Sequence, residues 1–410
     1  MNKILTNILP NGFKYILVPN NSEISYISLV INAGSRHENN LQQGIAHFIE
    51  HILFKGTKKR NSFHILNRID SVGGEINAYT SKEETCIYIT VQNIYLERAL
   101  ELLNDIIQNS TFPEKELKKE KEVILDEILS YEDNPSDLIM DEFDEVVFPN
   151  HSLGKNILGT QESVKSFNKK KVMEYFGSFY TPSNMALSII GNHELKHSAK
   201  LIETYFSFNV SNNNHSLLKF LPTKKIQQVV KSKDIQQEHL VMGTYAPSLK
   251  SKDRIAMVLL NNFFGGPAMN TRLNLAIREK YGFTYNIEST YSSYQDIGLF
   301  SIYFATEKKN FNKTLNLVNK ELKLLRDKKM GIVQLNNAKK QLKGNIALSQ
   351  ENKVGLASGL AKSFLVFNKI DELSEVYKKI DNITAEQILE LSNKILDENK
   401  FNTLHFQSKK

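Results

Sequence analysis

"IAHFIEHILFKG", residues 45–56, sets two imidazoles and a carboxylate into a run that is otherwise apolar. Without His47, Glu50, His51 and Lys55, only Ile, Ala, Phe, Leu and Gly remain. On a helix each residue advances about 100°, so positions i, i+3 and i+4 share a face. His47, Glu50 and His51 stand in that relation. Two neutral imidazoles one turn apart can aim ring nitrogens at one metal ion, and Zn²⁺ accepts such ligands. A neighbouring carboxylate can then serve as general base toward water, and the apolar setting strengthens these electrostatic effects. The alternative, three satisfied core polar groups, demands several buried partners, each worth roughly 1–3 kcal/mol if missing. The metal reading is preferred.

Around this helix the chain alternates strands and helices. "FKYILVP" (13–19) and "ISYISLVINA" (24–33) read as strands, and the turn-rich "GSRHENNLQQG" (34–44) leads into the helix. "GGEINAYTSKEETCIYITV" (73–91) is two alternating strands around a polar turn. "YLERALELLNDIIQN" (95–109) has the three-and-four spacing of a helix. The order then recurs: strand "EHLVMGTYAPS" (238–248), helix "DRIAMVLLNNFF" (253–264), hairpin "FTYNIESTYSSYQDIGLFSIYFA" (283–305), helix "NFNKTLNLVNKELKLLRD" (310–327). A duplication is the preferred explanation. The fold class expected is α+β, two homologous halves, each a mainly antiparallel sheet packed with helices. The Asn-, Ser- and Lys-rich "SFNVSNNNHSLLKFLPTKK" reads as a linker. The division is therefore 1–208, a linker at 209–226, and 227–410. The second half has "MVLLNNFF" where the first has HFIEH, so each chain carries one copy of the site.

The bulk composition narrows the function classes. A chain of 410 residues, 41% hydrophobic and 24% charged, can bury large cores in two or three domains. The net charge of +7 sits largely in short runs, Lys58-Lys59-Arg60, Lys169-Lys170-Lys171 and Lys409-Lys410, with no Trp and no basic-aromatic module. That pattern reads as solubility, not a nucleic-acid footprint. Cys86 is the only cysteine, which excludes an intrachain disulfide and a thiolate metal cluster. No stretch of about 18 apolar residues occurs, so no membrane span is expected. The first twenty residues lack a signal-peptide core, and an intracellular protein is the simplest expectation.

Two other segments bear on the metal. "NHELKHS" (192–198) spells the commoner H-E-x-x-H pattern with His193, Glu194 and His197. It follows a buried-looking strand and opens a helix that Asn192 can cap. That helix's apolar stripe is Leu195, Ala199, Ile202 and Phe206, so His193 and His197 project away from it and read as a solvated face. A zinc site with an open position wants a third protein ligand. "FPEKELKKEKEVILDEILSYEDNP" (112–135) is a helix between two prolines, with Glu120 and Glu127 two turns apart on one face near Val123 and Ile124. Spacing alone does not choose between these glutamates.

The residues resemble a known family. His47-x-x-Glu50-His51 is similar to the inverted zinc motif of the pitrilysin and insulinase-type metallopeptidases. The resemblance implies Glu127, in "VILDEI", as third ligand to one Zn²⁺ per chain, and Glu120 as a second glutamate needed for activity. "GGEINAYTSKEET" resembles the edge strand that holds substrate backbone, at Asn77 and Ala78. "FGGPAMNTRLNLAIREKYGFTY" (264–285) resembles the family's glycine-rich helix followed by an Arg and a Tyr seven residues apart, here Arg278 and Tyr285. Pro267 interrupts the usual glycine run. In the family these two reach the substrate carbonyl; taken alone they read as a surface arginine and a strand tyrosine. The likeness runs nearly end to end and is strongest to small bacterial peptidases and the catalytic subunit of mitochondrial processing peptidase. It implies a zinc endopeptidase acting on short or unfolded peptides in a chamber between the halves, working as a homodimer. Its compartment would be the bacterial cytoplasm, or an organelle matrix for a mature chain. Alternatives are a presequence processor with a non-catalytic partner and a non-catalytic scaffold subunit.

Overall fold

A computed structural model describes residues 4–208, 219–223 and 225–409. In chain order its regular elements begin with strands β1 (Leu5–Ile8), β2 (Lys14–Pro19) and β3 (Ile24–Ile31), then helices α1 (Ile45–Ile52) and α2 (Ser62–Asp70). The hairpin of β4 (Glu75–Thr80) and β5 (Thr85–Gln92) follows, then α3 (Leu96–Asn109), α4 (Glu114–Glu132) and α5 (Pro135–Val147). After these come α6 (Gln161–Ser166), α7 (Lys169–Phe179), β6 (Met185–Gly191) and α8 (Leu195–Phe206). The later part holds β7 (Gln228–Lys233), β8 (Glu238–Ala246), α9 (Arg254–Gly265), a π-helical stretch at Asn274–Glu279, and the hairpin β9 (Thr284–Ser293) and β10 (Gly298–Thr306). It ends with α10 (Phe311–Asp327), α11 (Ile332–Ser349), α12 (Lys353–Phe367), α13 (Leu373–Asp381), α14 (Ala385–Ile395) and β11 (Asn402–Ser408).

The fold class is α+β with two sheets. The first sheet runs β1-β2-β6-β3-β5-β4 and the second β7-β11-β8-β10-β9. Apart from β1 they correspond strand for strand. In each, the last strand of the half enters parallel to the first main strand (β6 on β2, β11 on β7) and antiparallel to the next (β3, β8). In each, a hairpin completes the sheet and leaves its first strand, β4 or β9, at the edge. This is the duplication that the recurring element order implies.

The chain forms two compact units, and they do not follow one continuous stretch each. Unit one comprises Met1–Leu129, Lys155–Leu218 and Leu348–Ile370; unit two comprises Ser130–Gly154, Lys219–Ala347 and Asp371–Lys410. Two segments thus depart from the division at 209–226 expected from composition, where residues 209–218 and 224 lie outside the described ones. The physical reason is on the sheets. α12 lays Ala357, Ser358, Ala361 and Phe364 toward a sheet face of Ile16, Val30, Cys86 and Ala186, where small residues allow close approach. α5 buries Ile139, Phe143, Val146 and Val147 with Val241, Leu404 and Phe406 of the second sheet. Each sheet therefore receives one helix on the face opposite its main helical layer.

In unit one that main layer contains α1, α3, α4 and α7. Phe48 of α1 is fully buried and meets Phe167 edge-on at 5.2 Å. Burying a side chain of that size contributes about 1.5–3 kcal/mol, enough to fix the helix against its neighbours. α4 adds Leu117, Ile124 and Ile128 to the same core. Val123, three residues after Glu120 and four before Glu127, is half exposed, because 100° steps carry it past the core edge.

Candidate metal centre

α1 begins at Gly44, where φ is +87° and a Cβ would stand 2.4 Å from the Leu158 carbonyl oxygen. Glycine meets both demands, but it offers no side chain to cap the helix. Glu38 does so from upstream. Its carboxyl oxygens accept from the amides of Gly44 (2.8 Å) and Ala46 (2.9 Å). Burial raises the Glu38 pKa to about 8, against these amide bonds and the charge of Lys82.

One turn into α1, His47 and His51 stack edge-on with ring centroids 4.6 Å apart. Both turn Nε2 toward one oxygen of Glu127 on α4: Oε2 lies 3.8 Å from His47 Nε2 and 3.6 Å from His51 Nε2. These separations exceed hydrogen-bond length. They are close to the roughly 3.4 Å between donors that share a tetrahedral ion at 2.0–2.2 Å. Ligand atoms of His47, His51 and Glu127 lie within 4.8 Å of one another, the one such group of three or more among the described residues.

The chemistry of this set suits Zn²⁺. Burial pushes the His47 pKa down to about 3, with His51 adding to the effect, so the ring is neutral as a ligand must be. Its buried Nδ1 has no hydrogen-bond partner among the described residues. His51 is oriented from behind. Glu120 Oε2 lies 3.3 Å from His51 Nδ1, and Lys55 Nζ is 2.7 Å from Glu120 Oε1. A carboxylate on Nδ1 fixes the tautomer that presents an unprotonated Nε2. Spacing left Glu120 and Glu127 equivalent; the structure separates them by which side of His51 each occupies. Glu50 is half-buried on the same helix. Burial raises its pKa, the charge of Glu127 adds to the rise, and Thr80 and His51 oppose it.

The other candidate residues lie elsewhere. Asn77 and Ala78 are on β4, the open edge of the first sheet. The Ala78 amide donates to Asn77 Oδ1 (2.8 Å), so it points away from β5. Arg278 and Tyr285 belong to unit two. Arg278 is on the π-helical stretch, a distortion frequent at functional sites, and its guanidinium stands over the Tyr285 ring at 5.0 Å. Tyr285 is the second residue of the edge strand β9 and is 82% exposed. The rival H-E-x-x-H differs from its sequence reading. α8 begins at Leu195, not at an Asn192 cap, so His193 precedes the helix. His193 is half-buried, with its Nε2 2.7 Å from Ser25 Oγ, whereas His197 is exposed as expected. Two residues escaped sequence reasoning, Glu38 and Lys55. An acid a few residues ahead of a glycine-started helix is a signal for the first. Lys55, four residues after His51, carried no signal without knowledge of where Glu120 packs.

Residues 15–161 match the insulinase family, peptidase family M16, and residues 166–342 match the peptidase M16 inactive domain. An uncharacterized zinc protease of Bacillus subtilis is 33% identical over 389 residues, covering 95% of this chain and 94% of its own. The chain belongs to the insulinase (M16) family. Another M16 relative, the mitochondrial-processing peptidase subunit beta of Bos taurus, is 30% identical over 95% of this chain and 81% of its own. Among solved structures, a protease from Helicobacter pylori superposes with a TM-score of 0.90 at 19% identity, covering 99% of each chain. That likeness concerns the fold alone. The M16 assignment agrees with one group of potential metal ligands in the first unit, among the described residues, and a second half matching a domain described as inactive. No helix among the described residues is long and apolar enough to cross a membrane.

Proposed function

We propose that this chain is a zinc-dependent endopeptidase of short or unfolded peptides, with His47, His51 and Glu127 as the ligands of one Zn²⁺. The observation that carries the reading is the convergence of both Nε2 atoms on Glu127 Oε2 with Glu50 half-buried on the same helix. Bound Zn²⁺ supplies Lewis acidity toward water and the peptide carbonyl. Glu50 takes the proton of the attacking water and passes it to the leaving amine. Glu120, braced by Lys55, holds His51 in register. The open edge at Ala78 accepts substrate backbone as an added strand, with Asn77 releasing the amide it now occupies. Arg278 and Tyr285 donate to the developing oxyanion. In this reading the two halves enclose a chamber that admits unfolded peptides, and two chains pair as a homodimer. Elemental analysis of purified protein together with cleavage of a quenched peptide tests it. One equivalent of zinc and turnover abolished by Glu50→Gln are expected; metal-free protein that cleaves equally well would overturn it.

A second reading is favoured by the likeness to a protein named as a subunit: a processing peptidase that works with a related chain lacking the HFIEH motif. Co-purification of such a chain, with activity dependent on it, would select this reading over the homodimer. A scaffold role is disfavoured by the retention of every proposed ligand.

A further inference from the structure

The loop that follows the metal helix builds a second feature. Residues 55–63, with Thr111, Pro113, Lys115 and Glu116, line a cavity of about 620 Å³ in unit one. We propose that it is a binding site for a small polyphosphate-type oxyanion.

The cavity wall is held in place before any ligand arrives. The Thr57 amide donates to the Arg60 carbonyl (2.8 Å), the Lys58 amide to the Asn109 carbonyl (2.9 Å), and the Thr111 amide to the Gly56 carbonyl (3.0 Å). Thr57 Oγ1 donates to Asp105 (2.8 Å), and Arg60 reaches Asp105 (2.6 Å) and both oxygens of Glu101 (2.9 Å). These contacts use up the nearby acids on Arg60. Lys58, Lys59 and Lys115 are exposed at the cavity and form no ion pair among the described residues. The one acidic residue of the lining, Glu116, is already paired with Lys119 at 3.2 Å. A preformed concavity with three uncompensated ammonium groups attracts a multivalent anion. The N-terminus of α2 adds its partial positive charge, since Asn61 and Ser62 line the same space. The concavity is larger than a single phosphate group needs, so it has room for an oxyanion that carries several charges.

The cavity is also wired to the metal centre. Lys55 lines it and pairs with Glu120, which in turn meets His51. An anion in the cavity competes with Glu120 for the Lys55 ammonium and loosens the support of His51. Occupancy is therefore expected to lower peptide turnover; this second step rests on the peptidase reading, whereas the binding site does not.

The test uses zinc-loaded protein and inorganic tripolyphosphate. Calorimetric titration should give one site per chain that weakens as salt is raised. The triple variant Lys58→Ala, Lys59→Ala, Lys115→Ala should bind at least about tenfold more weakly. The triple Lys→Arg variant, which keeps the charges, should bind like wild type. Absence of binding to wild type, or equal binding by the alanine variant, would overturn the site. Binding of a hexaglutamate peptide as tight as that of tripolyphosphate would make it a carboxylate site instead. For the coupling, tripolyphosphate should lower wild-type kcat at unchanged zinc content and leave the alanine variant's kcat unaltered. An equal fall in both would mean simple removal of zinc and would end the coupling. A chain with no peptidase activity at all would leave the calorimetry to decide the site.

Discussion

Glu120 and His51 meet at Nδ1, the ring nitrogen turned away from Glu127: Oε2 is 3.3 Å from Nδ1, while Nε2 is 3.6 Å from Glu127. Two glutamates seven residues apart on one helix thus face opposite nitrogens of a single imidazole. Glu127→Gln should strip stoichiometric zinc, because it removes a charged ligand. Glu120→Gln should retain zinc while losing on the order of 10–100-fold in activity or affinity, the usual scale for a residue that orients a ligand. Elemental analysis after dialysis against a weak chelator compares the two. Equal zinc loss would mean that the ligand assignment is mistaken.

Glu50 should show itself in both a substitution and a pH profile. Glu50→Gln keeps shape and removes the proton acceptor, so zinc should stay and turnover should fall by at least about 10²-fold. In the metal-free protein, burial holds the Glu50 carboxyl above an ordinary glutamate, so it keeps its proton to a higher pH; a bound Zn²⁺ pulls the other way. The carboxyl titration of metal-free protein, read as the difference between wild type and Glu50→Gln, should therefore centre above about 4.3, the unperturbed value. A titration at or below that value would contradict the burial of this carboxyl.

How the metal helix is started predicts a pH effect on stability. Glu38 is buried, and its pKa of about 8 in the fold exceeds the roughly 4.3 of an unfolded glutamate. The folded state then holds a proton that the unfolded state has released across that window, so stability falls as pH rises from about 4.5 to 8. Glu38→Gln mimics the protonated carboxyl and removes the titration. Thermal midpoints at pH 5 and pH 8 should diverge more for wild type than for the Gln variant. Equal slopes would show that Glu38 is ionised throughout. Glu38→Ala should cost about 0.5–2 kcal/mol as a lost helix cap.

Much of this was legible in the sequence, for reasons that differ by element. The hairpins and amphipathic helices of both halves follow their periods because each has one face on a core and one in solvent. The HFIEH face is readable because helical geometry is local. The pairing of Glu120 with Lys55 is not, since it depends on how α4 crosses α1, which no local pattern encodes. The same holds for α12: no local pattern in its Gly, Ala and Ser residues points to the sheet face of Cys86 and Ala186 that they meet. His193 shows the converse error. A motif spelled correctly sits at a strand end beside Ser25, where the chain has not yet become helical. His193→Ala with His197→Ala should leave zinc content intact; loss of zinc from that double variant would move the metal site.

Tyr285 offers the sharpest separation of a structural role from a catalytic one. Its ring is 82% exposed, with Arg278 over one face at 5.0 Å. So little of it is buried that Tyr285→Phe should change stability by no more than about 0.5 kcal/mol, as for most surface substitutions. A hydroxyl that donates to the oxyanion matters chiefly in the transition state, so its loss should lower kcat far more than it weakens peptide binding. Losing one such donor costs on the order of 10²–10³ in rate. Zinc content should not change, because Tyr285 is outside the ligand set. Arg278→Lys keeps the charge but not the planar guanidinium over the ring, and should fall between wild type and Arg278→Ala if stacking sets the hydroxyl's aim. Steady-state kinetics normalised to bound zinc, with thermal midpoints alongside, read every arm. A Tyr285→Phe enzyme with wild-type stability and wild-type kcat would leave this tyrosine without a role in the chemistry.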